Sequence, residues 1–454
     1  MEKDTITAII TPLGYSSVGI IRISGDLTSK LSYLLLKKIP KNKKASYLNF
    51  YIKDKIIDKG IAIFYKKPNS FTGEDVLELN CHGNPIILNT ILSYIIKFNN
   101  VRIAYPGEFS KRAFLNKKIN LLQAESIIDI INSSSRKMLN VSINSMIGIS
   151  SGIISNLIDY IYKIRVITEA NINFFENDID IFNKNKIYNK LTFLINKIKN
   201  IYKKSKINRN ITNGIKVVIV GKTNSGKSSL FNSLTNSNLS IVTGIPGTTR
   251  DFLIKEVIID NFLISFIDTA GIRDNIKNKV EKIGIKRTFE QIKKANYIFL
   301  VIDSSKEKSL NFLNLNFILS KKFIKKNLIL VRNKIDMTGS KPKNFSLKEC
   351  DVVDISAKYN YGIKILISCL LKKIKVNYRR RTESVGLYKK RQIDLLKSCL
   401  DHLVNSENQL NKYNNFELFA EEISLACNSL EELIGKRRNE DLLEKIFSEF
   451  CIGK

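Results

Sequence analysis

KVVIVGKTNSGKS, residues 216–228, joins a short apolar run to a loop bracketed by two glycines and closed by a lysine and a serine. Residues 221–228 satisfy G-x-x-x-x-G-K-[ST], a spacing that lets successive backbone N–H groups close around phosphate oxygens with no Cβ in the way. Lys227 is placed to reach the β- and γ-phosphates and Ser228 to hold Mg²⁺. The SLFNSL that follows predicts a helix, whose positive N-terminal end points at the same phosphates. Val217 to Val220 read as a buried strand, and a strand, phosphate loop and helix in series make a chance match improbable.

The remaining parts of a nucleotide site follow in order. Asp268-Thr269-Ala270-Gly271 comes after LISFI, with the aspartate placed for the magnesium shell and the glycine N–H for a γ-phosphate. Asn333-Lys334-Ile335-Asp336 comes after LILVR. The Asp336 carboxylate can accept both hydrogen bonds offered by guanine N1–H and N2–H₂, a donor pair that adenine lacks. Ser356-Ala357-Lys358, after VVDI, fits a last base-contacting loop. Singly, each piece reads equally as an ordinary strand-end turn. Together and in order they define an α/β P-loop GTPase domain.

Two details narrow the type. Ile272 follows DTAG where many small GTPases carry a water-orienting glutamine, so another group must position the nucleophile. VTGIPGTTRD, residues 242–251, offers Thr249 to Mg²⁺ and a run of backbone carbonyls beside the phosphates. Asn224 adds an amide oxygen. Such oxygens suit a weakly hydrated monovalent cation, which would neutralise transition-state charge where other systems insert an arginine worth roughly 10³ to 10⁵ in rate. Asn224 also fits a plain turn residue, and the sequence leaves both readings open.

At 454 residues the chain has room for two to four domains. Its 74 Lys+Arg against 42 Asp+Glu give +32, which matches an anionic macromolecular partner such as RNA and matches equally the Lys/Asn/Ile-rich composition of an AT-rich coding sequence. Six cysteines at 81, 350, 369, 399, 427 and 451 form no C-x-x-C pair, and only His82 and His402 stand by, so no zinc site is readable. Scattered single thiols suit a reducing cytosol. The N-terminal apolar run is too short for a signal peptide and no stretch of about 18 apolar residues occurs, so a soluble, cytoplasmic protein without a membrane segment is expected.

Residues 1–118 are predicted to form an α+β domain, with strands near 5–10, 19–23, 60–65 and 76–79 and a helix over 85–98. Arg22, Glu78 and Lys118 are charged residues at strand or loop ends there, and the pattern alone shows no ligand. From Leu121 the period turns helical through Ala124, Ile128 and Ile131, with long helices to about 208 and a break near Asn177 to Asn183. The polar segment 208–214 reads as a hinge into the GTPase strand. One more helix, 363–374, closes the GTPase unit near 376. Helical spacing returns at Ile393, Leu396, Leu400 and Leu403 and at Phe419, Ile423 and Ala426. Neither helical flank, 119–213 or 377–454, carries a complete core. The two are therefore expected to pack into one all-α domain with the GTPase domain, 214–376, inserted between them.

GKTNSGKS, IVTGIPGTTRD, DTAGIR followed by VEKIGIKR, NKID, FTGEDVLEL, PGEFSKRAFLNKKINLLQAE and the terminal FCIGK together resemble the MnmE (TrmE) family of bacterial tRNA-modification GTPases, over nearly the whole chain. The resemblance implies a potassium-activated GTPase whose GTPase domains dimerise. It implies K⁺ ligated by Asn224, Thr243, Ile245 and Thr248, and Glu281 orienting the attacking water. GTP would be bound by Asn224, Ser225, Gly226, Lys227, Ser228 and Ser229, by Thr243, Gly244, Ile245, Pro246, Gly247, Thr248 and Thr249, by Asp268, Thr269, Ala270 and Gly271, and by Asn333, Lys334, Asp336, Ser356, Ala357 and Lys358. Mg²⁺ would sit on Ser228 and Thr249. It further implies that the N-terminal domain dimerises and holds a 5-formyl- or methylene-tetrahydrofolate through Arg22, Glu78 and Lys118. The tail would bring Lys454 to that cofactor and Cys451 to the modification. The implied partners are a second copy, tRNA, and a flavin-dependent subunit, MnmG, in a heterotetramer that builds a carboxymethylaminomethyl-type group on carbon 5 of the wobble uridine. A ribosome-assembly GTPase and a folate-dependent aminomethyl transferase with a regulatory GTPase are the rival readings.

Overall fold

The computed structural model describes residues 4–173, 184–235, 253–268, 290–306, 327–347, 350–379, 386–413, 415–437, 440–448, 450 and 453. The chain divides into two units: Met1–Ile131 with Ser145–Ile195 and Leu395–Lys454, and Asn132–Asn144 with Asn196–Asp394.

In the first unit, β1 (Thr5–Ile9), β2 (Ser16–Ser24), α1 (Thr28–Leu36), β3 (Ser46–Ile52), β4 (Lys55–Tyr65), β5 (Val76–Gly83), α2 (Pro85–Ile95), β6 (Val101–Ile103) and α3 (Glu108–Leu115) form an α+β domain. Its sheet runs β3-β4-β5-β2-β1-β6, with β1 and β6 parallel and every other pairing antiparallel. Alternation assigns the faces. Ile21 and Ile23 of β2 and Leu77 and Leu79 of β5 enter a core with Leu31 and Leu35 of α1 and Leu88 and Ile91 of α2. Ile6 and Ala8 of β1 pack with Ala104 and Phe109 in a second cluster. The four expected strands and the helix are present. The sequence pattern missed β3, β6, α1 and α3, because short or half-exposed elements such as VRI over 101–103 show no period to read.

The chain continues through α4 (Leu121–Ile131), α5 (Arg136–Met146), α6 (Ile149–Asn173) and α7 (Lys184–Thr212). Leu121, Ala124 and Ile128 are buried as their spacing predicts, but Ile131 is half exposed because α4 ends there. The expected hinge over 208–214 is instead helix as far as Thr212, whose hydroxyl donates to the carbonyls of Asn208 and Arg209 while Ile207 packs on the GTPase core. Only Asn213 and Gly214 separate α7 from the next strand.

The second unit is built on β7 (Ile215–Gly221), α8 (Lys227–Thr235), β8 (Leu253–Ile259), β9 (Phe262–Asp268), β10 (Tyr297–Asp303), β11 (Leu328–Asn333), β12 (Asn344–Leu347), β13 (Cys350–Asp354) and α9 (Ile363–Arg379). Sheet order is β12-β13-β11-β10-β7-β9-β8; the five central strands are parallel, and β12 and β8 add antiparallel edges. Val217 and Ile219 face one core and Val218 and Val220 the other, so the VVIV run is apolar on both faces because both are covered. β7 lies where the strand order reverses, which opens a crevice at its carboxyl end.

Helices α10 (Lys390–Asn408), α11 (Phe416–Ile434) and α12 (Glu440–Ser448) complete the chain. Within the first unit α11 runs along α6, and the Tyr162 hydroxyl donates to Glu431 at 2.6 Å. Leu121, Ala124 and Ile128 of α4 share a cluster with Phe114, Leu443, Phe447 and Phe450. The helical domain is thus assembled from segments on either side of the GTPase domain, each supplying one face of the common core. Among the described residues no single helix is long and apolar enough to cross a membrane.

Candidate guanine-nucleotide site

The phosphate loop turns at Asn224, which is left-handed at φ 60° and exposed, and at Gly226, at φ 92°. A Cβ on Gly226 would lie 2.2 Å from Asn333 Nδ2, and one on Gly221 would lie 2.2 Å from the Val301 carbonyl. Both glycines are therefore required by close backbone approach, as the motif demands. Lys227 opens α8, is buried, and donates from Nζ to the Lys222 carbonyl at 2.8 Å across the loop. Ser228 and Ser229 follow it and are exposed, in the first turn at the positive end of the helix. Asp268 is fully buried at the tip of the neighbouring strand β9.

On the other side, β11 delivers Asn333, whose amide is the junction of the site. Nδ2 donates to the Ser225 carbonyl at 2.9 Å, and Oδ1 accepts from Ala357 N at 2.9 Å. Phosphate loop and last loop are thereby fixed to one side chain. Asp336, in a short helical turn over Ile335–Met337, accepts from the Ser356 hydroxyl at 2.5 Å. Ser356 is buried, while Lys358 is exposed and lies 5.1 Å from the Tyr359 ring centroid. The structure thus brings together Asn224 to Ser229, Asp268, Asn333 to Asp336 and Ser356 to Lys358 at one end of the parallel strands. Thr243, Gly244, Ile245, Pro246, Gly247, Thr248, Thr249, Thr269, Ala270, Gly271 and Glu281 lie outside the described residues.

Sequence reasoning missed Asp303 and Ser304 at the tip of β10. Asp303 accepts from Lys334 Nζ at 2.7 Å, and Ser304 donates to the Asn333 carbonyl from N at 2.9 Å and from Oγ at 2.8 Å. An aspartate ending a strand carries no motif; only its register opposite Asn333 reveals it.

In the α+β domain, Arg22 and Glu78 are register partners across β2 and β5, joined by Nε–Oε1 and Nη2–Oε1 contacts of 2.8 Å. The rings of Phe71 and Phe109 lie 5.6 and 5.5 Å from the guanidinium. Arg22 Nη1 also donates to the Gly453 carbonyl at 3.5 Å, and Gly453, at φ 100°, sits so close to Ile10 that a Cβ would meet its Cα at 2.9 Å. The tail thus reaches Arg22; Cys451 and Lys454 themselves lie outside the described residues. Lys118 is exposed after α3, beside the loop carrying Phe71: a Cβ on Gly73 would come within 3.3 Å of Lys118 Cγ. The Arg22 cation and the Glu78 carboxylate thus stand side by side, with Phe71 partly exposed and Phe109 fully buried near the guanidinium; such a pair would match the charged tail and the hydrogen-bonding ring of a folate.

Behind this pair stands an ionic network that the sequence did not announce. Arg112 contacts Asp4 at 2.6 Å, Glu108 at 3.0 Å and Glu74 at 3.2 Å, and Arg102 contacts Glu108 and Asp4, both at 2.7 Å. Burial alone would push the Glu108 carboxyl up, but the bonds from Arg102, Tyr105 N and Arg112 outweigh it and hold it below its ordinary value. The five described cysteines are free; burial pushes Cys81 up to about 12 and Cys369 to about 11, and raises the other three. They are therefore thiols at neutral pH.

Fold and site define a P-loop guanine-nucleotide hydrolase. A model of the MnmE helical domain matches residues 121–451, and a model described as the GTP-binding protein TrmE N-terminus matches residues 5–118. The chain is 42% identical over 459 residues to the tRNA modification GTPase MnmE of Baumannia cicadellinicola subsp. Homalodisca coagulata, covering 99% of each. It is 41% identical over 467 residues to that of Wigglesworthia glossinidia brevipalpis and 39% over 454 to that of Haemophilus influenzae strain 86-028NP, covering 100% of each chain. The chain belongs to the MnmE family of tRNA modification GTPases.

Proposed function

We propose that this GTPase reads guanine through Asp336 and couples GTP cleavage to movement of the helical domain whose two chain segments flank its GTPase domain in sequence, with functional boundaries at 118, 213 and 376. The observation that carries this reading is the Asn333 amide, which anchors the phosphate loop and the last base loop to one side chain. Ser228, with Thr249, would hold Mg²⁺, which neutralises charge on the β- and γ-phosphate oxygens when bound. Lys227 and the backbone N–H groups of 225–229 bind the same oxygens. Asn224, left-handed and exposed in the phosphate loop, supports a K⁺ site completed by Thr243, Ile245 and Thr248, with Glu281 orienting water.

On the same reading, Arg22, Glu78, Lys118 and Lys454 hold a tetrahydrofolate one-carbon donor. The chain acts in the cytoplasm as a homodimer with a flavin-dependent MnmG-type subunit, on carbon 5 of the tRNA wobble uridine. Supporting this are the Arg22–Glu78 pair beside Phe71, the approach of the tail, and the full-length match to named tRNA modification GTPases. Hydrolysis drives conformational change and not the carbon chemistry. Mass spectrometry of wobble nucleosides from cells lacking the protein is the test. Loss of the aminomethyl-type group is expected, and unchanged nucleosides would refute the modification role. Replacing K⁺ by Na⁺ should slow hydrolysis sharply, and equal rates would remove the K⁺ assignment.

A further inference from the structure

We propose that Asp303 is a positioning residue for guanine recognition, holding the base loop in its reading conformation through Lys334. The inference rests on the assignment of residues 333–336 as the base loop.

Asp303 and Asn333 are register partners at the ends of the adjacent parallel strands β10 and β11. The tip of β10 grips the start of the base loop at two points. Ser304 donates twice to the Asn333 carbonyl, and Asp303 accepts from Lys334 Nζ at 2.7 Å. The Asp303 carboxylate is fixed in turn by Ser305, whose N and Oγ both donate to Oδ1, at 3.1 and 2.6 Å. It is largely buried, with 10% of its side chain exposed against 31% for Lys334. Burial would raise its pKa, but Lys334 and Ser305 hold it low, so it is a carboxylate at working pH.

The grip matters because Lys334 is a non-glycine residue at φ 65°, a backbone state that L side chains leave unless something holds them there. Residues before and after it contact the rest of the site. Asn333 bonds Ser225 and Ala357, and Asp336, two residues on, bonds Ser356. Releasing Lys334 frees the turn that aims Asp336. Base recognition is common to GTP and GDP, so Asp303 is expected to act equally on both and to leave the cleavage step alone.

The test is calorimetric titration of the full-length protein with Mg²⁺-GDP and a non-hydrolysable Mg²⁺-GTP analogue, together with steady-state hydrolysis. Asp303→Asn keeps the shape and removes the charge. It should weaken both nucleotides about tenfold and raise KM in proportion, with kcat within about twofold. Asp303→Asn added to Lys334→Gln should bind no more weakly than Lys334→Gln alone. Affinity within about twofold of wild type, or losses that multiply in the double variant, would overturn the proposal. A lower melting temperature with unchanged affinity would reduce the pair to a structural one and overturn it as well. Should Asp303→Asn not fold, Ser305→Ala should weaken both nucleotides in the same direction, and unchanged affinity would count against the idea. Asp336→Asn measured in parallel separates the two claims: guanine selectivity retained there removes the base-loop assignment, whatever Asp303 does.

Discussion

Asn333, a residue only 2% exposed, donates from Nδ2 to the Ser225 carbonyl at 2.9 Å, joining residues 108 apart in sequence. Asn333→Ala removes this bond and the one from Ala357 N, leaving a buried carbonyl and a buried N–H without partners. A loss of about 2–4 kcal/mol in urea unfolding of the GTPase domain is expected, together with loss of GTP binding. A variant with wild-type stability would mean that the amide is not the junction described.

Gly226→Ala and Gly339→Ala separate backbone strain from collision. Both glycines have positive φ, at 92° and 64°, but a Cβ meets nothing within 4 Å at Gly339 and meets Asn333 Nδ2 at 2.2 Å at Gly226. The Gly339 variant is expected to lose about 1 kcal/mol and keep nucleotide affinity. The Gly226 variant should lose more and bind no GTP. Equal melting curves for the two would contradict the close approach.

Asp336→Asn reverses the polarity required at the base, because an amide can donate to the ring carbonyl of xanthine where a carboxylate accepts from guanine. Competition assays should show preference moving from GTP to XTP, and retained guanine selectivity would remove the assignment.

Glu108 gives a pH dependence with a definite sign. Its folded carboxyl is held below the ordinary 4.5, so the stability it contributes is present above pH 4.5 and fades as pH falls through the lower folded value. Glu108→Gln should therefore destabilise the α+β domain at pH 7, with the gap to wild type shrinking below pH 4.5 in parallel denaturation curves. A gap that is constant with pH would show that the carboxylate charge plays no part in the network.

The phosphate loop, the base loop and the insertion of the GTPase domain were legible because each is a local matter. A glycine where backbone N–H groups must converge, a lysine after it, or a helix with one apolar face is written into consecutive residues. The sequence alone pointed to a GTPase and to the split of the helical domain, since neither flank could cover its own apolar stripe. What tertiary structure decided were the relations across strands: Asp303 opposite Asn333, Arg22 opposite Glu78, and Asp4 with Arg102, Glu108 and Arg112 around one buried carboxylate. Strand register fixes these pairs, and register follows from how whole faces are buried. No short stretch of the chain carries that information.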